Sequence, residues 1–320
     1  MSSKPIVLVT GANGYIAGPV IEAFLKAGYA VRGTVRSKSS ADPLVRALSS
    51  YDEDLQIVVV PDIVAPGAFD SAVKVSLSFT DPEPVLEVAI QGTLGVLESA
   101  ITESSVKSVV LMSSIASITN GSKEAPARFT EADWNDEALA AVKKLGKESP
   151  SLLIYAASKV ASERAFGKFR DEKKSLFHYD CSQSSSISKI GGTTAFIWQI
   201  LSGQEIPKPL TPNPGYVDVR DIARVAVFSV DHPDKANGER FLLASGLVPP
   251  QAAADVLRKV YPERQDIIKA GTPGQGYFPG YKFPEERVLD ASKAVKVTGQ
   301  DFYSVEQTIT DTAKSLEKFL

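Results

Sequence analysis

Residues 6–17 read I-V-L-V-T-G-A-N-G-Y-I-A: an apolar run ends in a glycine-rich turn, and a helical pattern follows. Four successive apolar residues, Ile6 to Val9, suit a strand buried on both faces of a parallel sheet. Beyond the turn, Ile16, Val20, Phe24 and Leu25 fall on one helical face, and Gly28 supplies the stop. Each residue type in the turn has a physical reason. Gly11 permits the tight bend, Gly14 lets backbone approach a pyrophosphate, and Ala17 is small enough for close helix–strand packing. A helix N-terminus attracts phosphate charge, so Thr10, Gly11, Asn13, Gly14, Tyr15 and Ile16 form the candidate cradle of a dinucleotide. Pro19 fits only if it lies in the first helical turn, where its missing N–H breaks no bond.

The alternation continues. Strands are predicted at 29–35, 55–60 and 106–112, with helices at 43–49, 85–104 and 153–173. This order specifies an α/β fold, a Rossmann-type doubly wound parallel sheet. Residues 203–285 hold most of the prolines and 304–320 an amphipathic closing helix, which predicts a smaller C-terminal substrate domain. The nucleotide-binding domain is placed at 1–185 and the substrate-binding part at 186–320, with about 214–232 returning to the first domain.

What the second strand leads into bears on the cofactor. The run V-R-G-T-V-R puts Arg36 where NAD-specific enzymes usually carry an acid for the ribose 2′-hydroxyl. Arg36, helped by Arg32 or Lys38, suits a 2′-phosphate instead, which favours NADP(H) over NAD(H). A third signal is Y-A-A-S-K, which sets Tyr155 and Lys159 one turn apart on the same helical face. An ammonium and a cationic nicotinamide beside a phenol stabilise its phenolate and suit it to acid–base work. Ser113 and Ser114 end a buried strand some forty residues earlier. Strand C-termini are where doubly wound sheets bind ligands.

Charge and composition narrow the partners. With 35 Lys and Arg against 38 Asp and Glu, a net charge of −3 leaves no basic excess for nucleic acid or an anionic membrane. The lone Cys181, with His178 and His232, offers neither an intrachain disulfide nor metal-ligand spacing. The apolar run at 6–9 is too short for a signal peptide or a membrane span, so a cytoplasmic protein acting on a small molecule is expected.

The stretches T-G-A-N-G-Y-I-A, V-R-G-T-V-R-S, L-M-S-S and Y-A-A-S-K, with the helix D-P-E-P-V-L-E-V-A-I-Q-G-T-L-G-V-L-E-S-A from Asp81, Y-V-D-V-R-D-I-A from Tyr216 and F-L-L-A-S from Phe241, carry a resemblance. Over most of its length the chain resembles the extended branch of the short-chain dehydrogenase/reductases. The subgroup is that of dihydroflavonol-4-reductase-like and fungal NADPH-dependent carbonyl (aldehyde, methylglyoxal) reductases. The resemblance implies NADPH-dependent reduction of an aldehyde or ketone, or the reverse oxidation. It also implies that Tyr155 gives a proton to the substrate oxygen, that Lys159 holds the nicotinamide ribose, and that Ser114, with Ser113 as fallback, hydrogen-bonds the carbonyl. Asp62 and Ile63 match the place where relatives contact adenine, and relatives occur as monomers and homodimers.

Two departures stand against this pattern. In place of the family's central fourth strand the chain runs A-V-K-V-S-L-S-F-T into Asp81, whose alternation suits a half-exposed strand or a loop. After the Tyr–Lys helix, S-L-F-H-Y-D-C-S-Q-S-S-S-I-S lacks the family's Asn-Pro, and a serine-rich run is expected to make a poor buried strand. The fourth and sixth strands are therefore expected to be disrupted. Three alternatives stay open: a mis-assembled coding sequence, a catalytically impaired paralogue that binds NADP, and an NAD-dependent nucleotide-sugar epimerase or dehydratase. His178, His232 and Cys181 receive no role. Trp134 and Trp198 are expected in the core or cleft, and Asp218, Arg220 and Asp221 as a structural ion-pair cluster joining the domains.

Overall fold

The run Ile6–Val9 forms strand β1 in the computed structural model of the chain, which describes residues 4–61, 81–120, 123, 126–173, 178–184, 193–208, 215–247, 249–275 and 287–320. Helix α1 (Ala17–Lys26) leads to β2 (Ala30–Val35), and the short α2 (Asp42–Ala47) to β3 (Leu55–Val59). All three strands are parallel, with Leu8 opposite Arg32 and Arg32 opposite Gln56. Next come α3 (Pro82–Thr102), β4 (Ser108–Ser114), β5 (Ala127–Phe129), α4 (Asp136–Leu145), α5 (Ser151–Lys173) and β6 (His178–Ser184). The rest comprises α6 (Thr193–Leu201), β7 (Gly215–Tyr216), α7 (Val219–Asp231), α8 (Pro233–Ala236), β8 (Arg240–Leu242) and β9 (Gly246–Leu247). It closes with α9 (Pro250–Val260), β10 (Arg287–Leu289), α10 (Ser292–Thr298) and α11 (Val305–Leu316).

Burial explains why these elements stay put. Val31 and Val35 of β2 pack against Val20, Ile21, Phe24 and Leu25 of α1 and against Ala223 and Ala226 of α7, so two helices seal one face of the first sheet. Leu94 and Leu97 of α3 meet Phe166 and Phe169 of α5 beside Val109 and Leu111 of β4. By length and composition alone α3 is apolar enough to cross a membrane; Leu94, Leu97 and Ala100 pack toward α5, while only 6% of its apolar window is buried. A separate core joins Ile197, Ile200 and Leu201 of α6 to Val256 and Leu257 of α9 and Ile309 of α11.

One expectation is overturned. Residues 178–184 form a strand, which pairs in parallel with the whole of β4, from Ser108 opposite His178 to Ser114 opposite Ser184, and with β8 on its other edge. A strand flanked on both sides has its backbone groups met by neighbours, and that outweighs the weak strand preference of serine. The sixth strand is therefore present although its usual sequence is not. The fourth-strand segment, 72–80, lies outside the described residues. Among the described residues, β1-β2-β3 and β4-β6-β8 form the two three-stranded parallel ladders. On the face away from α1, Ile6 and Leu8 are 62% and 47% exposed, and Leu8, Arg32, Thr34 and Val58 line an open groove of about 450 Å3.

The acidic cluster of α7 ties it to the C-terminal helices. Asp218 caps α7 through the Arg220 N–H, takes both arms of the Arg220 fork and accepts from Thr308 Oγ1 at 2.8 Å. Arg220 also reaches Asp311. Burial works against the Asp218 charge, yet Arg220 and Thr308 outweigh it and hold the carboxyl below its usual range. Asp221 is fully buried between Arg224 and the Tyr303 N–H, and burial pushes it up to about 6. His232 ends α7 with its ring 4.6 Å from Phe228, and Trp198 meets Phe319 edge-on at 6.3 Å.

Candidate cofactor and catalytic site

The glycine turn is built against β2. Gly11 sits at φ 62°, in the left-handed region glycine tolerates, and the Gly14 N–H donates to the Gly11 carbonyl at 2.8 Å. The Ala12 N–H donates to the Thr34 carbonyl at 2.8 Å and the Gly11 N–H to Thr34 Oγ1 at 3.3 Å. A Cβ on Gly14 would lie 3.1 Å from the Gly11 oxygen. Thr10, Asn13, Gly14 and Tyr15 are exposed along this turn, and half-buried Ile16 is the residue just before α1. No side chain caps α1 and no acid lies in its first turn, so its N–H groups and positive end of the dipole face outward. Pro19 is the third residue of α1, inside the first turn as expected. A tight turn below an uncapped helix N-terminus fits a pyrophosphate.

The basic residues separate. Arg36 is half-buried immediately after β2, at the C-terminal edge of the sheet, and Lys38 is exposed two residues on. Arg32 lies in the middle of β2, where its Nε donates to Gln56 Oε1 at 2.8 Å, and so does not join Arg36. Asp62 and Ile63 lie outside the described residues. Among the described residues no group of His, Cys, Asp and Glu side chains could hold a metal ion.

Tyr155 and Lys159 occupy successive turns of α5, with Lys159 Nζ 5.6 Å from the centre of the Tyr155 ring. Tyr155 is 9% exposed, held by flanking residues: Ile154, Ala156 and Ala157 pack with Ala116 in one cluster. Ala116 belongs to the turn 115–117 that follows β4, so the Tyr–Lys helix rests on the turn that carries Ser114. Ile16 of the cofactor turn and Met112 of β4 share another cluster with Ile222 and Phe241, which joins the first sheet to the second beneath the site.

The two serines differ in what their protons do. Ser113 Oγ donates to Glu163 Oε2 at 2.9 Å. Ser114 Oγ instead accepts from the Ala116 N–H at 3.2 Å, which leaves its proton for another acceptor. Sequence reasoning missed the group that sorts them. Glu163 is 3% exposed and accepts from Ser113, from Ser117 Oγ at 2.7 Å and from Arg240 Nε at 2.6 Å. Burial opposes its charge, but Arg240, Ser117 and Ser113 together hold its carboxyl below the usual range. Arg240 also stacks on Trp134, whose ring takes Arg164 as well, the two guanidinium carbons lying 3.9 and 3.8 Å from the ring centre. The available signal was spacing, since Glu163 follows Lys159 by four residues on one helical face.

A parallel sheet, an uncapped glycine turn and a Tyr–Lys helix against a serine-bearing strand end define a nucleotide-dependent short-chain class. The family model for the NAD dependent epimerase/dehydratase family matches residues 7–244, and the chain belongs to that family. It is similar over 99% of its length to the Schizosaccharomyces pombe oxidoreductase C513.07, 32% identical across 350 aligned positions and 98% of that protein. Because this chain has 320 residues, that relative carries residues it lacks. Aldehyde reductase 2 of Sporidiobolus salmonicolor is 31% identical over 97% of this chain and 95% of its own. Among solved structures, yeast methylglyoxal/isovaleraldehyde reductase Gre2 complexed with NADPH has a TM-score of 0.84 at 25% identity, covering 98% of both chains. The fold is thus the Rossmann-type α/β fold.

Proposed function

We propose that this chain reduces a small aldehyde or ketone to an alcohol with NADPH. The observation that carries the reading is Tyr155–Lys159 resting on the turn after Ser114, whose hydroxyl proton has no acceptor in its own turn. The turn 10–16 and the N-terminus of α1 would hold the pyrophosphate, and Arg36 the 2′-phosphate. When bound, the cofactor supplies hydride for the carbonyl carbon. Ser114 donates a hydrogen bond to the substrate oxygen, and Tyr155 delivers a proton to it as charge builds there. Lys159 holds the nicotinamide ribose and keeps a positive charge beside the phenol. Asp62 and Ile63 belong to this reading as adenine contacts.

The boundary at 185 and the return of 214–232 are supported by the packing of α7 on α1 and by the separate core of α6, α9 and α11. A cytoplasmic monomer or homodimer suits a chain with a single cysteine. A second reading, cofactor binding without turnover, draws on the departure of the sequence at 72–80 from the family's fourth-strand pattern. The test is Tyr155→Phe. Turnover should fall at least a hundredfold while NADPH affinity stays within about twofold; equal loss of both removes Tyr155 from the chemistry.

A further inference from the structure

Glu163 is the hub of the contacts behind Ser114 and the Tyr–Lys helix. On α5 it stands one turn beyond Lys159 and two beyond Tyr155, so the three residues form one stripe along the helix. Its Oε2 takes the hydroxyls of Ser113 and Ser117, which bracket Ser114, and its Oε1 takes Arg240 Nε from β8. Ser117 Oγ also lies 2.8 Å from the Ser114 carbonyl. From the far side, Asn135 grips the same turn: its N–H meets the Ser117 carbonyl at 2.8 Å and its Nδ2 the Ala116 carbonyl at 3.0 Å. Arg240 continues the chain of contacts to the carbonyls of Glu131 and Asp133. A buried ion pair seldom gains stability over apolar side chains of equal volume, so stability alone is a weak reason for a carboxylate here.

We infer that Glu163 is a positioning residue for the reduction: its carboxylate clamps the helix carrying Tyr155 and Lys159 to the turn that orients Ser114. The inference rests on the function proposed above. Removing the charge loosens the helix against the turn, and small misplacements of reacting groups are costly to rate. Glu163→Gln keeps the shape, Ser117→Ala cuts one link, and Glu163→Asp returns the charge on a shorter arm. In Glu163→Gln, kcat should fall tenfold or more with NADPH affinity within about twofold; Ser117→Ala should lower kcat in the same direction. The double variant should be no slower than Glu163→Gln, because both changes cut the same link, and Glu163→Asp should recover part of the rate. Thermal unfolding that shifts while kcat stays put would overturn the proposal, as would equal losses in kcat and NADPH binding.

Amide hydrogen exchange reads the clamp without turnover. In Glu163→Gln, or in Ser117→Ala if the first variant does not fold, exchange should quicken at 113–119 and 152–160 and not in β1-β2-β3. Unchanged exchange in those segments sinks the clamp. A wild-type chain that binds NADPH but turns over no carbonyl sinks the reduction itself, and exchange still decides the clamp.

Discussion

Gly33 lies so close under the cofactor turn that a Cβ placed on it would stand 2.7 Å from the Cβ of Ala12 and 3.3 Å from Ile57 Cδ1. Gly33→Ala therefore forces the turn away from β2 or the strands apart. Overpacking of this kind costs roughly 1–3 kcal/mol. The expected outcome is a lower melting temperature and NADPH binding at least several-fold weaker, read by nicotinamide fluorescence; unchanged binding would mean the turn moves freely on the strand.

Arg36 should separate the two dinucleotides. Charge-assisted hydrogen bonds contribute roughly 1.5–3 kcal/mol, so Arg36→Ala is expected to weaken NADPH binding about tenfold or more and to change NADH binding little. Parallel titrations check this. An equal loss for both cofactors would take Arg36 away from the 2′-phosphate.

The adjacent serines should part company. Ser114→Ala removes a donor that develops its worth as the carbonyl is reduced, and losses of roughly a hundredfold or more in kcat are usual for such donors. Ser113→Ala leaves the buried Glu163 one donor short. It should cost about 1–3 kcal/mol of stability, with a smaller effect on kcat. Urea unfolding and steady-state kinetics on both variants separate the outcomes.

Acid should act partly through Glu163. Its carboxyl titrates below its ordinary 4.5 in the folded chain, so the folded state binds the proton less readily than the unfolded one. Its contribution is fully present above the ordinary 4.5 and is lost as pH falls from there through the lower folded-state value. The stability gap between wild type and Glu163→Gln should accordingly be largest near neutrality and narrow below pH 4.5. A constant gap across the acid range would show that the charge plays no part.

Legibility followed locality. The turn 10–17 could be read because glycine spacing, an apolar strand and an amphipathic helix are all near neighbours in sequence, and the structure keeps Pro19 in the first turn of α1, although one face of the strand, Ile6 and Leu8, is exposed rather than buried. Tyr155 and Lys159 were legible for the same reason, one turn apart on one face. What escaped depends on partners far along the chain. Gly33 matters only because Ala12 crosses above it, and the Glu163–Arg240 pair spans 77 positions. Strand 178–184 escaped because composition argued against it, whereas pairing with β4 and β8 secures its backbone. Arg32 was grouped with Arg36 by proximity in sequence; the strand register sends it to Gln56.

The most direct measurement is oxidation of NADPH by the purified 320-residue chain across a panel of small aldehydes and ketones, with NADH as control and Tyr155→Phe alongside. Saturable turnover that prefers NADPH and disappears in Tyr155→Phe is the expected result. NADPH bound tightly with no substrate consumed would contradict the reductase reading and leave a cofactor-binding protein in its place.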